Sequence, residues 1–385
     1  MAEMTSRERV ITALNHQEAD RVPVALGGGP YGIVDGLYFR LLEHLGLDGP
    51  VEPFRKGHSI SYMDDRVLAA LGVDMRYVWP ADSPGSPSQQ TSDPDTLLDG
   101  YGQVWKRAVP YYYTGAGILA EASSIDDIDR IVNWPDTRDP RWTAGVRARA
   151  QVLREGADYF VAARMVTSHG IFQTACDLRG TAEFMTDLAL NEDFACHLLD
   201  RITETIAGLL KGYLEATDGC IDLIELPGDD YASNENLLIS PAMFRTFIKP
   251  RLQQLIAVIR SHNPDLKIML HSDGMIEKLL PDFIDLGIDV LHPLEPVPAM
   301  DLSAIKARYG DRLAFLGGID IAHAMTGSRE DVVAEVKRRI AQLAPGGGYV
   351  LAPANHLQAD VPPENVVTLF ESARQYGTYP LHISH

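Results

Sequence analysis

His271 and Asp273 stand two apart in the run Ile268-Met269-Leu270-His271-Ser272-Asp273-Gly274. On extended chain, residues at that spacing put their side chains on one face. A neutral imidazole beside a carboxylate offers two ligands to Zn2+ or a related divalent ion, or a base and the group that orients it. The plainer alternative has His271 bonded to its neighbours and Asp273 capping a helix near Met275. A second cluster runs from Ile221 to Asp230, with Glu225 near a strand end and Asp229 and Asp230 adjacent. Adjacent carboxylates repel unless a cation or a shared proton relieves them, and a solvated acidic loop is the bland alternative. After Leu316, Gly317 and Gly318 let a ligand approach the backbone, while Asp320 serves the site or caps the next helix. Asn355 and His356 follow Leu351-Ala352-Pro353-Ala354, with at least one expected to face the same mouth, and His169 and His292 follow two further apolar runs. A lone histidine is usually structural; four of them, each placed after a strand-like run, point to an enzyme.

The elements that must hold these residues are readable. Eight short apolar runs begin at Val22, Met75, Phe160, Ile221, Lys267, Ile288, Leu313 and Gly348, and helical periodicity separates most of them. The expected fold class is α/β, a (β/α)8 TIM barrel forming one domain over residues 1–385, with active groups beyond the C-terminal ends of the strands. Residues 80–114, with Ser-Pro-Gly-Ser-Pro at 83–87, interrupt the alternation and read as an insertion, a lid or hairpin excursion.

Composition narrows the partners. With 45% apolar and 23% charged residues, the chain is globular rather than disordered. Its 34 basic residues against 53 acidic give −19, which disfavours nucleic acid and anionic membrane surfaces. No apolar run approaches the ~20 residues of a membrane span, and the polar start at Met1 lacks the apolar core of a signal peptide, so a cytoplasmic protein is expected. Cys176, Cys196 and Cys220 are widely spaced and read as three buried apolar side chains. Gly27-Gly28-Gly29 lacks the GxGxxG pattern and the Walker lysine, and neither GxSxG nor HExxH occurs.

Several stretches resemble the uroporphyrinogen decarboxylase superfamily, which also includes zinc methyltransferases that act with corrinoid proteins. They are Asp20-Arg21-Val22-Pro23, Asp177-Leu178-Arg179-Gly180, Ser240-Pro241, His271-Ser272-Asp273-Gly274, Gly317-Gly318-Ile319-Asp320 and Asp360 to Val366. The resemblance implies a single barrel, and by analogy a homodimer. It does not fix an activity. The decarboxylases carry Gln-Ala-Gly-Arg near the N-terminus, whose arginine holds propionates, where this chain reads Gly27 to Tyr31. A substrate with many carboxylates also suits a −19 protein badly, unless local bases such as Arg55, Lys56 and Arg76 offset the field. The corrinoid-linked enzymes bind zinc through His-x-Cys and a later Cys; here those positions hold His271, Asp273 and either Asn355 or His356, with no thiolate.

Carboxylate and imidazole in place of sulfur favour a harder, more Lewis-acidic ion that activates oxygen rather than a thiol. The expected protein is therefore a divalent-metal methyltransferase of the O-demethylase type, with zinc as the first choice of metal. Its ligands are His271 and Asp273 with His356 or Glu225; Asp229, Asp230 and His169 are the acid-base candidates. Tyr31, Arg76, His292, Asp320 and Asn355 are expected to contact a small-molecule substrate. A corrinoid protein or tetrahydrofolate accepts the methyl group. The alternatives are a cofactor-free decarboxylase or lyase using Asp74, Asp229 or Asp230, and a non-catalytic barrel that only binds small molecules.

Overall fold

A computed structural model describes residues 3–55, 58–108, 111–114, 116–156 and 158–382; Lys56 lies outside them. Among these residues the strands are β1 Met75–Val78, β2 Gln89–Gln90, β3 Thr96–Leu98, β4 Val104–Ala108, β5 Tyr111–Thr114, β6 Phe160–Ala163, β7 Leu223–Glu225, β8 Lys267–His271, β9 Val290–His292, β10 Ala314–Ile319 and β11 Tyr349–Pro353. Seven of them form one parallel sheet in the order β1-β6-β7-β8-β9-β10-β11. Strands such as β1, β6 and β11 are buried along their whole length, which is why they read as continuous apolar runs.

The eighth run, from Val22, is not a regular strand, because Pro23 has no N–H to give to a ladder. It still bridges the two edges of the sheet. Ala25 N donates to Leu351 O and Leu351 N to Pro23 O on the β11 side, while Asp74 N, just before β1, donates to Val24 O. Asp74 fastens this seam from below. Fully buried, it pairs with Arg9 at 2.7 Å and Arg21 at 2.8 Å and accepts from Val24 N at 2.9 Å.

Helix ends follow the local sequence. Thr5 and Glu8 form a reciprocal capping box on Ser6–Leu14, and Ser240 accepts from Met243 N ahead of Pro241. The long helix Glu192–Thr217 buries the face carrying Phe194, Leu198, Leu199, Ile202 and Ile206. Residues 80–114 contain an antiparallel sheet in the order β2-β3-β4-β5. Buried Asp99 is its polar centre, accepting from Tyr101 N, Gln103 N and Trp105 Nε1, each at 2.9 Å. Burial outweighs those three donors and pushes its carboxyl up to about 6. Ser86 Oγ lies 3.2 Å from Ser168 Oγ, so this excursion docks at the end of β6.

Cys176 is buried as expected, but Cys196 and Cys220 are only partly so, and none of the three is in a disulfide. No helix among the described residues is long and apolar enough to cross a membrane.

Candidate active site

A cavity of about 530 Å³ opens where the parallel strands end. Trp79 follows β1, Arg164 follows β6, Gly228 follows β7, His271 ends β8, and Asn355 and His356 follow β11; all line it. The insertion contributes Ser83, Ser86 and Ser88 to the same wall.

The densest chemistry joins β7 to β8. Parallel register brings His271 beside His292, and ligand atoms of Asp230, His271 and Asp273 lie within 4.8 Å of one another. His271 Nε2 is 3.5 Å from Asp230 Oδ1 and 3.8 Å from Asp273 Oδ2. Gly228 leaves room for this: a Cβ there would fall 2.7 Å from the His271 side chain. Burial disfavours a charge on His271, but Asp273 and Asp230 outweigh it and raise the ring to about 9. Burial raises Asp273, against the pull of His271, while Asp230 is lowered by its contacts with His271 despite its own loss of water. His271 Nδ1 lies 2.9 Å from His292 Nδ1, and His292 Nε2 lies 3.4 Å from Pro353 O. A neutral His292 that donates to Pro353 accepts the Nδ1 proton of His271, leaving His271 Nε2 to face the two carboxylates.

These three residues fit a divalent ion. Asn355 Nδ2 donates to Asp273 Oδ2 at 2.6 Å, whereas Asp273 Oδ1 is buried with no hydrogen-bond partner. An orphaned carboxylate oxygen beside a second carboxylate and an imidazole is the donor set a cation relieves. Glu225 and His356 stand outside this group. Glu225, fully buried, accepts from Gly29 N at 2.8 Å and Tyr31 Oη at 3.1 Å; burial raises its carboxyl, with Arg164 opposing. His356 Nδ1 accepts from Gly32 N at 2.9 Å.

The remaining expected site residues separate by position. His169 lines the cavity, and its Nδ1 lies 2.7 Å from Asp177 Oδ2; Gln173 holds the other oxygen of Asp177 at 2.9 Å. Burial disfavours the His169 charge, and Asp177 more than compensates, so the ring pKa is raised. Asp229 instead caps the helix Ile171–Arg179, taking Phe172 N, Gln173 N and the Tyr231 hydroxyl, with its carboxyl pushed up to about 6 by burial. Tyr31 and His292 stack below the cavity wall, ring centroids 4.7 Å apart. Arg76 is at the N-terminal half of β1, buried against Tyr159 and bonded to Val73 O and Met75 O, away from the cavity lining. Asp320 holds the turn Ala322–His323 through backbone N–H groups, and Gly317, inside β10, makes way for Pro293 O rather than for a ligand. Asp74 lies at the opposite end of the strands.

Sequence reasoning left Asp177 and Arg164 out of the site and named Arg55 only as a local base. Asp177 stood in a quoted family motif; Arg164 directly follows a strand run, the same signal that singled out the histidines. Arg55 sits in a loop without any such mark.

A family model for uroporphyrinogen decarboxylase (URO-D) matches residues 114–376. The chain belongs to the uroporphyrinogen decarboxylase family. Within it, the chain is 27% identical over 191 residues to the chloroplastic uroporphyrinogen decarboxylase of Zea mays, covering 49% of this chain and 44% of that one. It is 29% identical over 203 residues to the methylcobamide:CoM methyltransferase MtaA of Methanosarcina barkeri, covering 52% and 55%. The matches thus span about half the length of these curated relatives. A methyltransferase structure from Methanosarcina mazei shares the fold, with a TM-score of 0.66 and 22% identity over 97% of this chain and 99% of that one. The uroporphyrinogen decarboxylase family therefore sets the barrel here, and decarboxylases and a methyltransferase stand among this chain's relatives.

Proposed function

We propose that this family member is a divalent-metal-dependent methyltransferase of the O-demethylase type, acting on a small oxygen-bearing molecule such as a methoxylated compound. The convergence of Asp230, His271 and Asp273 around an unsatisfied Asp273 oxygen carries this reading. Zn2+ is the metal proposed; when bound it supplies Lewis acidity that polarises the ether oxygen. The imidazole–carboxylate set, without thiolate, favours an oxygen substrate over a thiol. His292 orients His271, and Asn355 orients Asp273. In the reaction the methyl C–O bond breaks, the methyl group passes to the acceptor, and the departing oxygen takes a proton. His169, held by Asp177 and facing the cavity, is the residue proposed to deliver it. A corrinoid protein or tetrahydrofolate is the proposed acceptor, the former supported by the likeness to a methylcobamide-using relative.

Metal analysis of protein purified without chelator tests the reading. Wild type is expected to hold one zinc per chain and His271→Ala none. If neither holds a stoichiometric divalent ion, the metal reading fails. Decarboxylase activity that survives exhaustive chelation would shift support to a cofactor-free lyase, for which Asp230 offers a carboxylate at the cavity wall.

A further inference from the structure

The cavity has a second wall, opposite in charge to the first. Arg55 and Arg164 both line it, and both guanidinium groups stand against the ring of Phe54, 5.3 and 4.5 Å from its centroid. Arg164 is 4% exposed and donates through Nη2 to Gly29 O at 3.2 Å. Arg55 Nε donates to Ile60 O at 2.6 Å, and its Nη2 is buried with no hydrogen-bond partner. Among the described residues no carboxylate makes an ion pair with either arginine. The nearby acids are engaged elsewhere: Glu225 by Gly29 N and Tyr31, Asp35 by Ser61 N. Glu225 acts on Arg164 and Asp35 on Arg55 only from beyond ion-pair distance, so withdrawing the two guanidinium groups from water is poorly compensated, and each keeps N–H donors unspent.

His58 and His356 complete this wall. The Nδ1 of His58 accepts from Ile60 N at 3.1 Å and that of His356 from Gly32 N at 2.9 Å. An imidazole that accepts at Nδ1 carries its proton at Nε2, so each ring adds a donor and no acceptor. All four groups therefore offer hydrogen, and planar oxyanions match a guanidinium fork.

We propose that Arg55 and Arg164, with His58 and His356, form an oxyanion subsite that binds a carboxylate or phosphate group of the substrate and turns its other end toward Asp230, His271 and Asp273. This rests on the reading of the cavity as the substrate site, and it adds the substrate class: a small organic anion. The segment in which the resemblance places a propionate-holding arginine reads Gly27 to Tyr31 here, so neither Arg55 nor Arg164 is that arginine.

Calorimetric titration with benzoate, phenyl phosphate and uncharged benzyl alcohol tests it, on wild type, Arg55→Gln and Arg164→Gln, with circular dichroism to confirm folding. The expected result is that at least one of the two anions binds wild type while benzyl alcohol does not. Whichever anion binds more tightly identifies the oxyanion. Each glutamine substitution is expected to weaken that binding roughly ten- to a hundred-fold, with zinc stoichiometry unchanged. Equal binding of all three compounds, no binding of either anion, or unchanged anion affinity in the variants overturns the proposal. If Arg164→Gln does not fold, Arg55→Gln decides alone. Absence of zinc from wild type would sink the metal reading while leaving the anion titration interpretable.

Discussion

His169 shows how much a single neighbour sets a side chain's chemistry. Burial alone would strip its proton, yet the Asp177 carboxylate 2.7 Å from Nδ1 raises the ring above its ordinary value. Asp177→Asn removes that charge and leaves burial in control, so the His169 pKa is expected to fall below its ordinary value. Titration of its ring proton by NMR reads this directly. A pKa that stays put would mean Asp177 does not poise His169. At this scale the sequence disclosed what strand ends disclose. His271, Asp273 and Asn355 were legible because side chains past a parallel strand face the barrel mouth. Glu225 and Asp229 passed the same criterion yet serve Gly29 and a helix start, since the partner of a buried carboxylate is a tertiary fact. Arg55 was legible only as a local base; its unpartnered Nη2 is likewise a tertiary fact.

Elements were read best where one period dominates. Met75, Phe160 and Lys267 each open a strand where their apolar runs begin. The run at Val22 has strand composition, but Pro23 prevents a regular ladder. The insertion was legible as a lid or hairpin excursion, but its four-stranded extent was not, because β2 is two exposed residues long and β3 only three. Asp99 makes that sheet testable. Folded, its carboxyl holds a proton to about pH 6; unfolded, an aspartate lets go near ~3.9. Between those values the folded state binds more protons, so stability falls as pH rises and levels off above 6. That difference corresponds to at most about 3 kcal/mol. Asp99→Asn stays neutral throughout, so its urea midpoint is expected to decline less than wild type's from pH 4 to 6. Parallel profiles for the two proteins would exclude Asp99 as the source.

For the whole molecule, the −19 balance and the cavity point in different directions. A sum over the chain is dominated by exposed carboxylates, so it speaks to partners met at the surface, whereas the cavity wall carries Arg55 and Arg164. Charge arithmetic could disfavour nucleic acid without revealing an internal site for a small anion. The barrel also determines how ligand binding should couple to stability. Asp230 follows β7, while His271 ends β8 and Asp273 follows it, so a cation held between them ties adjacent staves at the mouth. An unfolded chain has no such arrangement to offer, so zinc at a hundred times its dissociation constant should stabilise the fold by about 2.7 kcal/mol. Thermal unfolding of wild type is expected to shift up with added zinc, to return when a chelator is added, and to be insensitive to zinc in His271→Ala. A zinc-dependent shift of equal size in that variant would place the ion elsewhere on the molecule and remove the support that the mouth of the barrel gives to a metal-centred reaction.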